Sequence, residues 1–228
     1  MSNFNIISLT GLIQRDSFKA DAEPQNGRTA QEPQTPSNGV YIQDITGKLW
    51  KIYNWDGSVK PNAVAVITDT SKFLIALTES SSTMQLNSDE NGLLDNYMTP
   101  TKSLYEATAD YDGAGNTAKI LKIEPSASYA AGYCNAFAFP DGKTKGFLPS
   151  LGQLYLAHQN EESIYAALSK CGGTVMKDGR YWSSTFWGVY FRESRKCWVF
   201  NWDGGLKNGD VNAATLDYRT YVRPFANF

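Results

Sequence analysis

Histidine is nearly absent from the 228 residues: His158 stands alone. A single imidazole rules out His-rich zinc sites, two-His iron sites and metalloprotease motifs, so metal-dependent hydrolysis is nearly excluded. The three cysteines, Cys134, Cys171 and Cys197, are odd in number, widely spaced and without a CxxC pair, which gives no disulfide framework. Long hydrophobic runs are missing too, since no window approaches the roughly 18 apolar residues of a membrane span. The N-terminal MSNFNIISLTGLIQRD lacks the basic and long apolar regions of a secretory signal. Folding in a reducing cytoplasm, without membrane insertion, is the expectation. An excess of charge of one sign is also lacking, with 21 Lys+Arg against 23 Asp+Glu, so no global field draws the chain to nucleic acid or an anionic membrane. The glycines of GAGN and SKCGG do not fit a phosphate loop, and no cofactor is expected.

What is present divides the chain. Asn3 to Ile13 is short and apolar, and Gln14 to Gly39 is polar, with three prolines and too little apolar surface to order itself. Residues 1–39 read as an apolar peg (Phe4, Ile6, Ile7, Leu12) on a flexible linker, the peg docking on something else, such as another copy of the chain. A plain frayed terminus is the alternative.

The body, 40–228, opens with two hairpin patterns: VYIQDITGKLWKI around Thr46-Gly47-Lys48, and NAVAVITDTSKFLIALTES around Asp69 to Lys72. Ala118 to Ile123 is partly helical. FLPSLGQLYLAHQ then places Leu151, Leu154, Tyr155 and His158 on one helical face, behind a Ser150/Gln153 capping box. In NEESIYAALSKCGG, Asn160 is a candidate N-cap, Ile164, Ala167, Leu168 and Cys171 share a face, and Gly172-Gly173 ends the helix. Aromatic strands broken by Asp-Gly turns follow. The chain is therefore expected to be α+β, in one compact domain.

Candidates for chemistry are few. DYDGAGNT, Asp110 to Thr117, has the composition of a calcium loop. With Asp110 as first position, however, the twelfth is Leu121 and no bidentate acid, so a polar surface turn is preferred to a cation site around Asp110 and Asp112. Cys171 and His158 fall on apolar helix faces, where a thiol acts as a small hydrophobe and an imidazole as a satisfied core group. No activating Asp or Asn is identifiable for a Cys–His pair.

Tyr181 to Phe225 stands out. It holds four of the six tryptophans (Trp182, Trp187, Trp198, Trp202) and four of the seven arginines (Arg192, Arg195, Arg219, Arg223). Aromatics with arginine are the materials of binding hot spots, although Trp182 and Trp198 are assigned to a small β core. From Arg180 to Phe228 seven basic residues face four acids, a local excess of positive charge. LKNGDVNAATLDYRT has no period and many turn formers, and reads as an exposed recognition loop held at both ends by strands.

The order GFLPSLGQLYLAHQ, a helix ending SKCGG, then GRYWSST, CWVFNWDGG and YVRPF resembles the C-terminal module of variable proteins made by diversity-generating retroelements. Those proteins share the C-type lectin fold in its formylglycine-generating-enzyme-like branch. They include receptor-binding proteins at phage tail tips and adhesins of gut bacteria. The resemblance covers Val40 to Phe228 and is specific from Gly146 onward. It implies two helices and short antiparallel sheets, with Tyr181 to Thr185 and Tyr221 to Phe225 as framework and Phe186 to Thr220 as a diversified binding surface. The ligand-binding positions it implies are Phe186, Trp187, Gly188, Tyr190, Arg192, Arg195, Asn201, Asp203, Asn208, Asp210, Asn212, Leu216, Tyr218 and Arg219. Adenine substitution in AAY codons cannot produce Trp, Lys, Glu, Gln or Met, so Trp187, Glu193, Lys196, Trp198, Trp202 and Lys207 would be fixed by the template or arise from other codons.

The implied partner is a cell-surface protein or glycan receptor, bound by a homo-oligomer, such as a trimer held by the N-terminal segment, on a phage tail fibre or a bacterial surface. Neither calcium-dependent sugar binding nor oxidase activity carries over, because the Glu-Pro-Asn motif and the paired active-site cysteines have no counterpart here. Two rivals remain: a formylglycine-generating-type or thiol enzyme using Cys171 or Cys134, and a purely structural tail or pilus subunit.

Overall fold

The structure, a computed structural model, describes residues 36–88, 94–189, 194–203 and 212–228. The apolar peg with Phe4, Ile6, Ile7 and Leu12 lies outside the described residues, as do Tyr190, Arg192, Asn208 and Asp210.

Both hairpins expected from sequence form. Strands β1 (Gly39–Asp44) and β2 (Leu49–Lys51) pair antiparallel with Gln43 opposite Leu49. Gly47 sits between them at φ +89°, where a side chain would be strained. Asp44 locks this turn, its carboxylate accepting from the Thr46 N–H at 2.8 Å, the Thr46 hydroxyl at 2.6 Å, the Lys48 N–H at 3.2 Å and the Trp50 indole at 2.8 Å. Strands β3 (Pro61–Ile67) and β4 (Lys72–Ala76) make the second hairpin. Val64, Val66, Phe73 and Ile75 face one core, while Ala63, Ala65, Ile67, Leu74 and Ala76 face another. A sheet covered on both faces needs apolar residues at successive positions, which explains the unbroken AVAVI run.

Helices α1 (Leu104–Thr108), α2 (Gly113–Leu121) and α3 (Ala130–Ala136) precede strand β5 (Gly146–Phe147). Sequence periodicity misses α1 and α3 because α1 has five residues and α3 reads AAGYCNA, with no spaced large apolar side chains. Helix α4 (Leu151–Gln159) begins with the expected capping box: the Ser150 hydroxyl accepts the Gln153 N–H at 3.4 Å, and the Gln153 side chain accepts the Ser150 N–H at 3.0 Å. Helix α5 (Glu161–Lys170) ends as the double glycine requires, with Gly172 at φ +68° and the Gly173 N–H on the Leu168 carbonyl at 2.8 Å. The role expected for Asn160 needs correction. It sits at the N-cap of α5, but its side-chain amide donates backwards to the Leu156 carbonyl at 2.9 Å, in the last turn of α4, and makes no capping bond to α5.

Strands β6 (Arg180–Val189), β7 (Arg195–Asn201) and β8 (Asn212–Thr215) form an antiparallel sheet in that order. Strand β9 (Phe225–Ala226) instead enters the other sheet, whose order among the described residues is β2-β1-β3-β4-β9-β5. Five helices and two sheets among the described residues make the protein α+β, as expected. The β6–β7 ribbon is a partition between two cores. Trp198 and Phe200 join Leu151, Leu154 and Leu168 of α4 and α5 on one side. On the other, Trp182, Phe186, Cys197 and Val199 meet Ile120 of α2 and Ala130, Ala131 and Cys134 of α3.

This partition corrects several expectations. The segment read as a recognition loop contributes a paired strand, with Ala213 opposite Trp198 and Ala214 opposite Cys197. Phe186 (1% exposed) and Leu216 (5%) are core residues, not displayed ones. The polar turn expected at Asp110 to Thr117 is largely helix α2, begun by Asp112, whose side chain accepts the Gly115 N–H at 2.9 Å.

Candidate ligand-binding face

The face begins with what holds it rigid. Tyr181 and Arg223, one from each of the two segments expected to be framework, are each 1% exposed and converge on Glu79. The Tyr181 hydroxyl donates to Glu79 Oε2 at 2.6 Å, and Arg223 Nη2 lies 3.3 Å from the same oxygen. Arg223 Nη2 also donates to the Thr174 carbonyl at 2.7 Å, and Nη1 to the Ala76 carbonyl at 3.3 Å. Burial pulls the Arg223 pKa down against the opposing pull of Glu79 and Tyr181. Burial, followed by the bond to Glu79, pushes the Tyr181 hydroxyl well up. A charge so deep is tolerated only because its partners are in place.

A second knot ties β6 to the helices. Asp110 accepts the Asp112 N–H at 2.9 Å, the Asn116 amide at 2.8 Å and the Thr185 hydroxyl at 2.7 Å. Its backbone carbonyl accepts the Ser150 hydroxyl at 2.7 Å and the Gly152 N–H at 3.1 Å. These acceptors serve the fold. Among the described residues no group of three or more His, Cys, Asp or Glu side chains is placed to hold a metal ion. A polar cavity of about 230 Å³ opens beside this knot, between Met98, Lys119 and Phe186.

The positions named from sequence separate into three environments. Phe186, Gly188 and Leu216 are buried. Gly188 stands at φ +125°, and a Cβ there would come within 3.1 Å of Pro100 and 3.2 Å of Lys102, so this backbone is fixed and the position is not interchangeable. Trp187 and Arg195 are partly covered. Trp187 has the Lys102 ammonium 5.1 Å and the Lys196 ammonium 5.9 Å from its ring centre, and Arg195 pairs with Asp95 at 3.1 Å. The third set, Asn201, Asp203, Asn212, Tyr218 and Arg219, is partly or fully exposed. Asp203 accepts the Gly179 N–H, and Arg219 donates to the Thr83 carbonyl at 2.8 Å.

Two members of that exposed set, Asn212 and Tyr218, meet in a groove of about 410 Å³ along β8, closed by Arg180 and Lys196. Tyr218 is 44% exposed. The Arg180 guanidinium lies 5.8 Å from its ring centre and donates to its hydroxyl at 3.4 Å. Ala213, Ala214 and Thr215 form the floor. Sequence reasoning missed Arg180 and these small residues. Arg180 lies 38 positions from Tyr218, and only strand pairing joins them.

The thiols are poorly suited to nucleophilic work. Burial pushes Cys171 up to about 11 and holds Cys134 and Cys197 well above the usual thiol range, which suppresses the thiolate that attack requires. His158 lies against Phe200 and Trp202, ring centres 5.3 Å apart in each case, with Nε2 4.0 Å from the Glu161 carboxylate. No helix among the described residues is long and apolar enough to cross a membrane. Comparison with protein-family models, with curated proteins and with solved structures finds no match to the chain.

Proposed function

We propose that the chain is a receptor-binding protein in which a rigid scaffold presents a variable face to a macromolecule on a cell surface. The observation that carries this reading is the groove along β8. There Asn212 and Tyr218, both within the stretch that the resemblance marks as diversified, stand exposed beside Arg180 and Lys196. The strands beneath are anchored by the buried Glu79–Arg223–Tyr181 cluster. A paratope works this way: aromatic area and arginine supply contact while the frame below stays fixed. The finer reading is a C-type lectin-like module of the retroelement-diversified kind, carried on a phage tail fibre or a bacterial surface. The N-terminal segment would assemble several copies, so that individually weak sites act together.

Replacing Tyr190, Arg192 and Tyr218 together by Ala tests the proposal, with binding of the labelled full chain to intact bacterial cells as readout. Loss of cell binding with an unchanged melting curve supports it. Unchanged binding by a folded variant contradicts it, and an oligomer that buries this face against sister subunits favours a structural tail component.

A further inference from the structure

The polar cavity beside the Asp110 knot has two unlike ends. Asp112, Asn116 and Lys119 line it from α2 and its N-cap, spaced i, i+4 and i+7 and so on one helical face. Met98, Thr99 and Thr101 line it from the segment leading into α1. That wall is fixed: the Thr101 N–H donates to the Phe186 carbonyl at 2.9 Å, and the Thr101 carbonyl accepts the Trp198 indole N–H at 2.7 Å. Asp112 and Asp110 mark the end of the cavity at the start of α2, and Lys119 stands about 10 Å further along the helix axis.

Asn116 lies between these charges and is 8% exposed. Its amide nitrogen is committed to Asp110 at 2.8 Å, which leaves the carbonyl oxygen Oδ1 as an acceptor. Among the described residues no donor reaches Asn116 Oδ1, no base pairs with Asp112 and no acid pairs with Lys119. The helix dipole accounts for the signs of Asp112 and Lys119 at the two ends of α2. It does not account for a nearly buried amide oxygen that lines a cavity without a donor.

We infer that this cavity binds a small zwitterion whose ammonium and carboxylate are joined by a short methylene chain, as in 6-aminohexanoate or a C-terminal lysine. The ammonium, with three donors, meets Asp112, the charge of Asp110 and the waiting Asn116 Oδ1. The carboxylate meets the Lys119 ammonium, and the Thr99 and Thr101 hydroxyls serve either charge. Met98 and Phe186 offer apolar wall to the spacer. A volume of about 230 Å³ lies below the range of about 300–1,000 Å³ typical of drug-sized ligands, which suits an occupant this small. The cavity shares no lining residue with the groove along β8, and its occupancy does not depend on the receptor-binding reading.

The test titrates the full chain with 6-aminohexanoate, hexanoate and hexylamine, each raised to about 10 mM, and follows the Asn116 side-chain amide by NMR. The zwitterion should shift that amide saturably. Each single-charge analogue should bind about tenfold more weakly or worse, the usual loss when a charged hydrogen bond is removed. Asp112→Asn, which keeps a good N-cap side chain, should bring 6-aminohexanoate down to the level of hexanoate without weakening hexanoate. Lys119→Gln should bring it down to the level of hexylamine without weakening hexylamine. A short peptide ending in lysine distinguishes the sources of this chemistry: binding as tight as that of 6-aminohexanoate, lost on amidation of its C-terminus, supports a protein terminus as occupant, and exclusion of the peptide supports a free amino acid. Absence of a saturable shift, equal binding of the zwitterion and either single-charge analogue, or unchanged zwitterion binding by both folded variants overturns the inference. Tighter binding of glucose than of 6-aminohexanoate also overturns it, in favour of a hydroxyl-bearing ligand.

Discussion

Arg223 and Glu79 meet in the interior, guanidinium nitrogen 3.3 Å from carboxylate oxygen, with side chains 0% and 3% exposed. This pair joins the segment just before β9 to the segment after β4, and Tyr181 of β6, in the sheet that carries the groove, donates to the same Glu79 oxygen. Glu79→Gln strands the buried Arg223 guanidinium and should cost about 3–5 kcal/mol, whereas Arg223→Leu leaves Glu79 with Lys177 at 3.4 Å and the Tyr181 hydroxyl and should cost less. Replacing both by apolar residues of similar volume should restore much of the loss. Denaturant midpoints of the two single variants and the double variant measure this.

Gly188 gives a sharper test of which positions are free to vary. Its φ of +125° and its closeness to Pro100 predict that Gly188→Ala destabilises by about 1–3 kcal/mol, measured by thermal melting. Asn212→Ala and Tyr218→Ala, on the exposed groove, should each stay within about 0.5 kcal/mol of wild type.

Phe186 separates packing from display. As a 1% exposed aromatic packed with Ile120, Trp182 and Val199, it should cost about 3–5 kcal/mol on truncation to Ala. A displayed residue would cost almost nothing, and the same melting experiment distinguishes the two.

Thiol reactivity supplies the pH test. With Cys171 raised to about 11, the neutral thiol dominates at pH 8. Alkylation of the native protein by iodoacetamide should therefore be slow there and accelerate as pH climbs toward 11. Cys134 and Cys197, both buried, should react only on unfolding. A fast-reacting thiol at pH 7 would revive the cysteine-enzyme reading.

The fold was legible where period and punctuation agree: the hairpin at Gly47, the Ser150/Gln153 box and the glycines after α5 all announce themselves locally. Short helices such as α3 did not, because small residues pack closely without leaving a periodic apolar signature. Phe186 and Leu216 were misplaced for a related reason. Strand β6, which carries Phe186, has covered residues on both faces and irregular register between Trp182 and Gly188, and Leu216 follows directly on β8 into the same core, so neither alternation nor composition tells which side chains point outward. The groove itself depends on β7–β8 pairing across the whole turn region, a long-range event that no local window encodes.

Resequencing the gene across related isolates tests the central claim most directly. The account predicts substitutions gathered at the partly or fully exposed Asn201, Asp203, Asn212, Tyr218 and Arg219 and at Tyr190, Arg192, Asn208 and Asp210, which lie outside the described residues, and sparing Tyr181, Phe186, Gly188, Leu216 and Arg223. Substitutions scattered evenly along the chain, or concentrated at the buried positions, would contradict it.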